Sequence, residues 1–223
     1  MKPLHTAIVP VSRTNPADWF ARHNGFAQEA QRGGIDILFL GDSLVERWFD
    51  HGLSIWNQHY ASRRAAGFGI DGDRTQHVLW RIAHGELDGL QPKVVVLLIG
   101  TNNTGREKDT GKIRNTVPEA IEGVQAVVKA LRVKLPDSKI LLLAIFPRGT
   151  PDDPQRAQVA QVNAAIAGLD DGDRVKYLDL TPSFLEADGT LSVKIMPDLL
   201  HLNERGYQIW AEAMAPTLEE MMR

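Results

Sequence analysis

The run from Ile35 to Trp48, IDILFLGDSLVERW, decides how the rest of the chain is read. An apolar stretch, Ile37 to Leu40 with Ile35 before it, stops at Gly41-Asp42-Ser43 and passes directly into a helix-like run. A strand that ends at a glycine and hands over to a helix leaves its last polar side chains at the carboxyl edge of a sheet, where open α/β folds bind ligands. Ser43 is thereby placed to act. The same residues fit a plainer role, because Ser43 and Glu46 form the S-x-x-E pattern of a capping box, in which the hydroxyl satisfies an orphan amide of the first turn. Partners elsewhere in the chain must decide between nucleophile and cap.

Outward from this stretch the pattern repeats. Ala65 to Gly69 reads as a short second strand entering the glycine-rich turn Gly67-Phe68-Gly69-Ile70-Asp71-Gly72-Asp73, with helix from Val78 to His84 behind it. Val94 to Leu98 is a β-branched run ending at Gly100-Thr101-Asn102-Asn103. Helix is expected over Val117 to Lys134, a strand over Lys139 to Ile145 ending at Phe146-Pro147-Arg148-Gly149, and helix over Pro154 to Leu169. A fifth strand over Val175 to Leu180 and a closing helix over Asn203 to Met222 complete the chain. Alternating strands and helices predict a parallel sheet covered on both faces, with right-handed crossovers. Ser43, Gly72, Asn102 and the Pro147-Arg148 loop then converge at one edge. Upstream, Pro3 to Pro16 is expected to be extended and Ala17 to Gln31 helical, so residues 1–34 form a lead-in and helix packed on a domain of residues 35–223.

At 223 residues the chain can bury one sizeable core, and its 43% hydrophobic and 24% charged content is that of an ordinary globular protein. The net charge of -3 offers no basic footprint for nucleic acid or an acidic membrane surface, which points to a small-molecule partner. With no cysteine, disulfides and thiolate chemistry are excluded. The opening MKPLHTAIVPVSRTNP has no continuous apolar core of a signal peptide, and no stretch approaches a membrane span. As written the chain is expected in the cytoplasm; a secreted or periplasmic location would require a leader already removed.

A serine becomes a nucleophile through a base, and the base through something that orients it. His201 stands apart from the other histidines, following Pro197-Asp198-Leu199-Leu200 immediately before the last helix. Asp198, three residues earlier, can hold one imidazole nitrogen and turn the other to Ser43, the division of labour of a catalytic triad. The plainer reading makes Asp198 a turn cap and His201 a loop residue. Donors for a developing oxyanion would be the backbone amides of Ser43 and Gly72 and the side-chain amide of Asn102. Val45 breaks G-x-S-x-G, Gly105 to Ile113 misses the P-loop spacing, and no H-E-x-x-H occurs, so neither a nucleophile elbow nor a metal or cofactor is expected.

Four ordered blocks, GDSLVERW around Ser43, GFGIDGDRTQHVLWRI around Gly72, VVVLLIGTNN around Asn102 and PDLLHLNERGY around His201, make the sequence resemble the SGNH (GDSL-type) hydrolases. The similarity is greatest to the branch of the platelet-activating-factor acetylhydrolase Ib catalytic subunits and bacterial acetylesterases. That resemblance implies a flavodoxin-like α/β/α sandwich around five parallel strands. It also implies Ser43 as nucleophile, His201 as base oriented by Asp198, an oxyanion hole at Ser43, Gly72 and Asn102, and hydrolysis of short acyl esters, acetyl first among them. A carbohydrate O-acetylesterase fits, as would a lysophospholipase or thioesterase given an apolar channel; a non-catalytic binding protein on the same fold is the remote alternative. A homodimer is suggested by the same relatives. Asp71 departs from the pattern, standing where relatives often have Gly or Ser. Asp42, Asp71, Arg74, Asn103 and Arg148 are the expected substrate contacts or supports of the site, each weighed against a salt bridge or turn role.

Overall fold

The computed structural model describes residues 4–223; Met1 to Pro3, where the expected lead-in begins, lie outside the described residues. Five strands, β1 (Ile37–Gly41), β2 (Ala65–Gly69), β3 (Val94–Leu98), β4 (Lys139–Leu143) and β5 (Val175–Leu178), form one parallel sheet in the order β2-β1-β3-β4-β5. The helices are α1 (Trp19–Arg32), α2 (Ser43–Glu46), α3 (Leu53–His59), α4 (Thr75–Ala83), α5 (Val117–Lys134), α6 (Pro154–Ile166), α7 (Thr181–Phe184) and α8 (Glu204–Met222).

Because side chains alternate across a strand, the sheet feeds two cores. Leu38, Leu40, Val95, Leu97, Ile140 and Leu142 pack with buried residues of α4, α5 and α6. Ile37, Phe39, Val94, Val96, Leu141 and Leu143 pack with those of α3 and α8. Burial on both faces is why β1 and β3 read as unbroken apolar runs rather than alternating ones. In the second core, Phe39 is fully buried among the rings of Trp48, Trp56, Tyr60 and Trp210, a site where truncation to alanine costs about 3–5 kcal/mol.

The topology fixes where a ligand can sit. The order in which strands are added reverses between β1 and β3, since β2 lies on one side of β1 and β3 to β5 on the other. Gly41 is level with Gly69 and with Leu98, so the loops after β1, β2 and β3 leave the sheet at one height. This is the switch point of a doubly wound sheet.

Boundaries differ from the sequence expectation where local hydrogen bonds decide them. β4 and β5 each stop two residues early. α4 starts at Thr75, three residues earlier than expected, because the Arg74 backbone donates to His77 Nδ1 at 2.9 Å and closes a cap. The lead-in is not uniformly extended: Thr6–Ile8 make a 3-10 turn with Ala7 buried, tied down where Thr75 Oγ1 donates to the Ala7 carbonyl at 2.7 Å. The short helix α7 was not signalled by the sequence pattern.

Candidate active site

The cap that the sequence offered at Ser43 falls to its neighbour. Asp42, not Ser43, is the N-cap of α2: its Oδ1 accepts from the Leu44 amide at 3.1 Å. Glu46 does not close a capping box either, for its carboxylate accepts from the Asp71 amide and pairs with Arg22 at 3.0 Å. The Ser43 hydroxyl is left to His201, whose Nε2 lies 3.1 Å from Oγ. Close approach of α2 to β2 depends on Gly69, where a Cβ would stand 2.3 Å from the Glu46 amide nitrogen.

His201 is held from the other side. Its Nδ1 is 2.7 Å from Asp198 Oδ2, while Asp198 Oδ1 accepts from the amides of Leu200 at 3.1 Å and His201 at 2.7 Å. Asp198 therefore caps the turn and orients the ring at once; the two readings of it were not exclusive. Partial burial pushes this carboxyl up, but the His201 amide, the imidazole and the Leu200 amide outweigh it and hold its pKa down to about 2. The loop between them carries a conformation unusual for a branched residue, with Leu199 at φ 58°, and is pinned by the Gly149 amide donating to the Leu199 carbonyl at 2.8 Å. The chain of three groups thus spans a backbone stretch of four residues and one long-range contact.

Gly72 sits in the turn after β2 at φ 71°, a conformation that glycine adopts without penalty, and the turn is closed by the Asp73 amide donating to the Ile70 carbonyl at 3.1 Å. Asn102, after β3, donates from Nδ2 to the Asp73 carbonyl at 3.0 Å and reaches Asp42 Oδ2 only at 3.5 Å, so one of its two N–H bonds is committed to the turn and the other is weakly engaged. Ser43, Gly72, Asn102 and His201 are in this way brought together at the switch point, from four distant parts of the sequence.

The remaining expected residues separate. Burial pushes the wholly enclosed Asp42 carboxyl up to about 7 against the Leu44 amide, with the charges of Asp73 and Asp71 adding to the rise and Arg148 opposing it. Arg148 donates to Thr101 Oγ1 at 3.1 Å, and burial lowers its pKa although Asp153, Asp42 and Asp198 pull the other way. Arg74 forms an ion pair with Glu107 at 2.7 Å. Asn103 is fully buried and serves the fold, accepting from the Thr75 amide at 3.0 Å and donating to Thr75, Gln76 and Asn115. Asp71 contributes its backbone to the turn, and its side chain borders an open cleft with Arg22, Glu46, Arg47, Phe49 and Asp50.

Sequence reasoning missed what lies under the turn. Arg81 is completely buried between Asp73, 2.9 Å from Nε, and Glu86, 2.5 Å from a terminal guanidinium nitrogen. It also donates to the carbonyls of Phe68 at 3.2 Å and Gly41 at 3.0 Å, the ends of β2 and β1. His23 reaches Glu86 at 3.2 Å, and Trp19 Nε1 donates to Asp73 at 2.8 Å. Burial alone would lower the Arg81 pKa, but the Glu86 and Asp73 charges raise it, so the guanidinium stays charged. The available signal was an arginine among Val78, Leu79 and Ile82 on the apolar side of α4. Among the described residues no group of three or more His, Asp or Glu is arranged to hold a metal ion.

A parallel 2-1-3-4-5 sheet with a Ser–His–Asp chain at its switch point defines a hydrolytic α/β enzyme of the serine type. The chain belongs to the GDSL-like lipase/acylhydrolase family, whose model matches residues 39–209, and it is a carboxylic-ester hydrolase of the SGNH type. It is 35% identical over 206 residues to the alpha1 subunit of platelet-activating factor acetylhydrolase IB from Homo sapiens, covering 89% of this chain and 84% of that one. The alpha2 subunit from Rattus norvegicus is 36% identical over 190 residues, covering 85% and 78%. In fold, the chain is similar to a GDSL-like lipase from Bacteroides thetaiotaomicron, with a TM-score of 0.70 at 17% identity over 90% of this chain and 98% of that one. An acetylxylan esterase from Geobacillus stearothermophilus gives 0.64 at 20% identity over 85% and 94%.

Proposed function

We propose that this enzyme hydrolyses short-chain carboxylic esters, acetyl esters first, with Ser43 as nucleophile. The observation that carries the reading is the continuous chain Ser43 Oγ–His201 Nε2 at 3.1 Å and His201 Nδ1–Asp198 Oδ2 at 2.7 Å. His201 takes the Ser43 proton as Oγ attacks the ester carbonyl, and the oxyanion that forms is met by the amides of Ser43 and Gly72 and by the Asn102 side chain. Collapse expels the alcohol, which receives that proton from His201 and leaves an acyl-enzyme. Water then attacks, deprotonated by the same imidazole, and releases the acid and free Ser43.

One observation supports a short acyl group: the curated relatives that align over most of this chain are named as acetylhydrolases. A long chain would require an apolar channel reaching Ser43. Acetylated saccharides are the first natural esters to try. The test is hydrolysis of p-nitrophenyl acetate, octanoate and palmitate by wild type and Ser43→Ala. Acetate is expected to be the best substrate and Ser43→Ala inactive; a preference for palmitate would replace the short-acyl reading with a lysophospholipase or thioesterase.

A further inference from the structure

We propose that Arg13 is a positioning residue for the oxyanion donor at Gly72, gripping the far end of the peptide whose N–H does the stabilising. This rests on the function proposed above. Arg13 donates to the Asp71 carbonyl at 2.7 Å and to the Asp73 carboxylate at 3.1 Å. The Asp71 carbonyl and the Gly72 amide belong to one peptide unit. That unit is trans, so its C=O and N–H point in opposite directions, and a donor fixed on the oxygen sets the direction of the N–H. The contact also polarises the unit: a charged donor on the carbonyl strengthens the amide at the other end as a hydrogen-bond donor.

The remainder of the turn is secured independently. The Asp71 amide is taken by Glu46, the Asp73 carbonyl by Asn102 at 3.0 Å, and the Asp73 amide by the Ile70 carbonyl at 3.1 Å. Arg13 supplies the corresponding restraint on the Asp71–Gly72 plane. Its guanidinium also lies against Gly72 itself, with two of its nitrogens 3.0 and 3.2 Å from where a Cβ would be. Arg13 is placed in turn by Asp73, which Trp19 and Arg81 hold from beneath at 2.8 and 2.9 Å. Both Arg13 and Trp19 precede residue 39, where the family model's match begins. The N-terminal segment is on this account part of the catalytic apparatus rather than a packing appendage.

The test compares wild type, Arg13→Met and Arg13→Lys by p-nitrophenyl acetate kinetics, thermal unfolding and the affinity of a reversible boronic acid, which forms a tetrahedral adduct on a serine. Removal of an oxyanion donor outright costs about 10²–10³ in kcat, so loosening one is expected to cost about 10–100-fold. Arg13→Met should lose that much in kcat with KM within about threefold, the boronate affinity should fall in parallel, and Arg13→Lys should lie between Met and wild type. A folded Arg13→Met with wild-type kcat and boronate affinity would overturn the proposal, as would a loss confined to KM or to unfolding temperature. If Arg13→Met does not fold, Arg13→Gln is judged by the same criteria. Hydrolysis surviving Ser43→Ala would bring down the reading of the site itself; an inactive Ser43→Ala beside a fully active Arg13→Met would bring down only the role of Arg13.

Discussion

The two arms of the site are built in opposite ways. The acid–base arm is a short, partly exposed loop: Asp198 and His201 are three residues apart, and the Asp198 side chain is 55% exposed. The oxyanion arm hangs on a dry charge network in which Asp73, Arg81 and Glu86 are each wholly buried and the partners come from residues 13, 19 and 23 as well as from α4. Local geometry suffices to aim an imidazole at a hydroxyl. Holding a backbone amide at a fixed place requires that the whole turn be prevented from rocking, and fixed dipoles that need no reorganisation are what an oxyanion site uses. The difference predicts that damage to the first arm reads out in rate alone, whereas removal of a buried charge beneath the second reads out in stability as well.

The largest effect should be on rate. His201→Ala removes the base and should lower kcat by about 10⁴-fold or more, whereas Asp198→Ala leaves the base in place without its half-exposed orienting carboxylate and should lose about 10–10²-fold less than that. Both variants should unfold within a few degrees of wild type in a thermal melt. Equal rates for His201→Ala and wild type would remove the base assignment, and a collapse of stability in Asp198→Ala would erase the contrast between the arms.

Next comes stability on the buried side. Arg81→Met leaves Asp73 and Glu86 without their shared cation and should cost about 3–5 kcal/mol in urea unfolding, because truncating one partner strands buried charge. A variant as stable as wild type would show the network to be dispensable.

At neutral pH the smallest effects are those that separate the arms by their pH dependence. Burial, together with the charges of Arg13, Arg74 and Arg81, depresses the His77 pKa from 6.5 to about 3. Between those values the unfolded chain binds a proton that the folded one refuses, so stability is complete above pH 6.5 and is lost as pH falls toward 3. His77→Gln should flatten the stability profile across that window. Asp198, depressed from 3.8 to about 2, contributes stability that is present above pH 3.8 and lost only as pH falls toward 2. Asp198→Asn should therefore leave the slope above pH 4 unchanged; a slope altered near pH 5 by Asp198→Asn and not by His77→Gln would contradict both assignments.

The same contrast explains what could be read from the sequence. β1 and β3 were legible because strands buried on both faces are apolar throughout, and each runs into a glycine followed by a polar residue, Gly41-Asp42 and Gly100-Thr101. Asp198 and His201 were legible because only three positions separate them along the chain. The cap at Ser43 was ambiguous because Asp42 and Ser43 are both good capping residues and only the fold shows which side chain turns to the Leu44 amide. The helical spacing of Trp19 pointed to the core, where it lies, but the contacts of Arg13, Trp19 and Glu86 were not legible. Those contacts reach across 54 to 63 positions, and nothing in a lead-in arginine or a helix tryptophan names the partner it will meet. Asn103 went the other way: its position beside Asn102 suggested the site, while its burial assigns it to the α4 start.

Whether Ser43 is the nucleophile is read directly from the intact mass of wild type and Ser43→Ala after treatment with an organophosphonate serine probe, each checked for folding by circular dichroism. A single adduct is expected on the wild type, mapped to the peptide containing Ser43, and none on Ser43→Ala. An adduct on Ser43→Ala, or a folded wild type that neither takes the probe nor hydrolyses p-nitrophenyl acetate, would contradict that role.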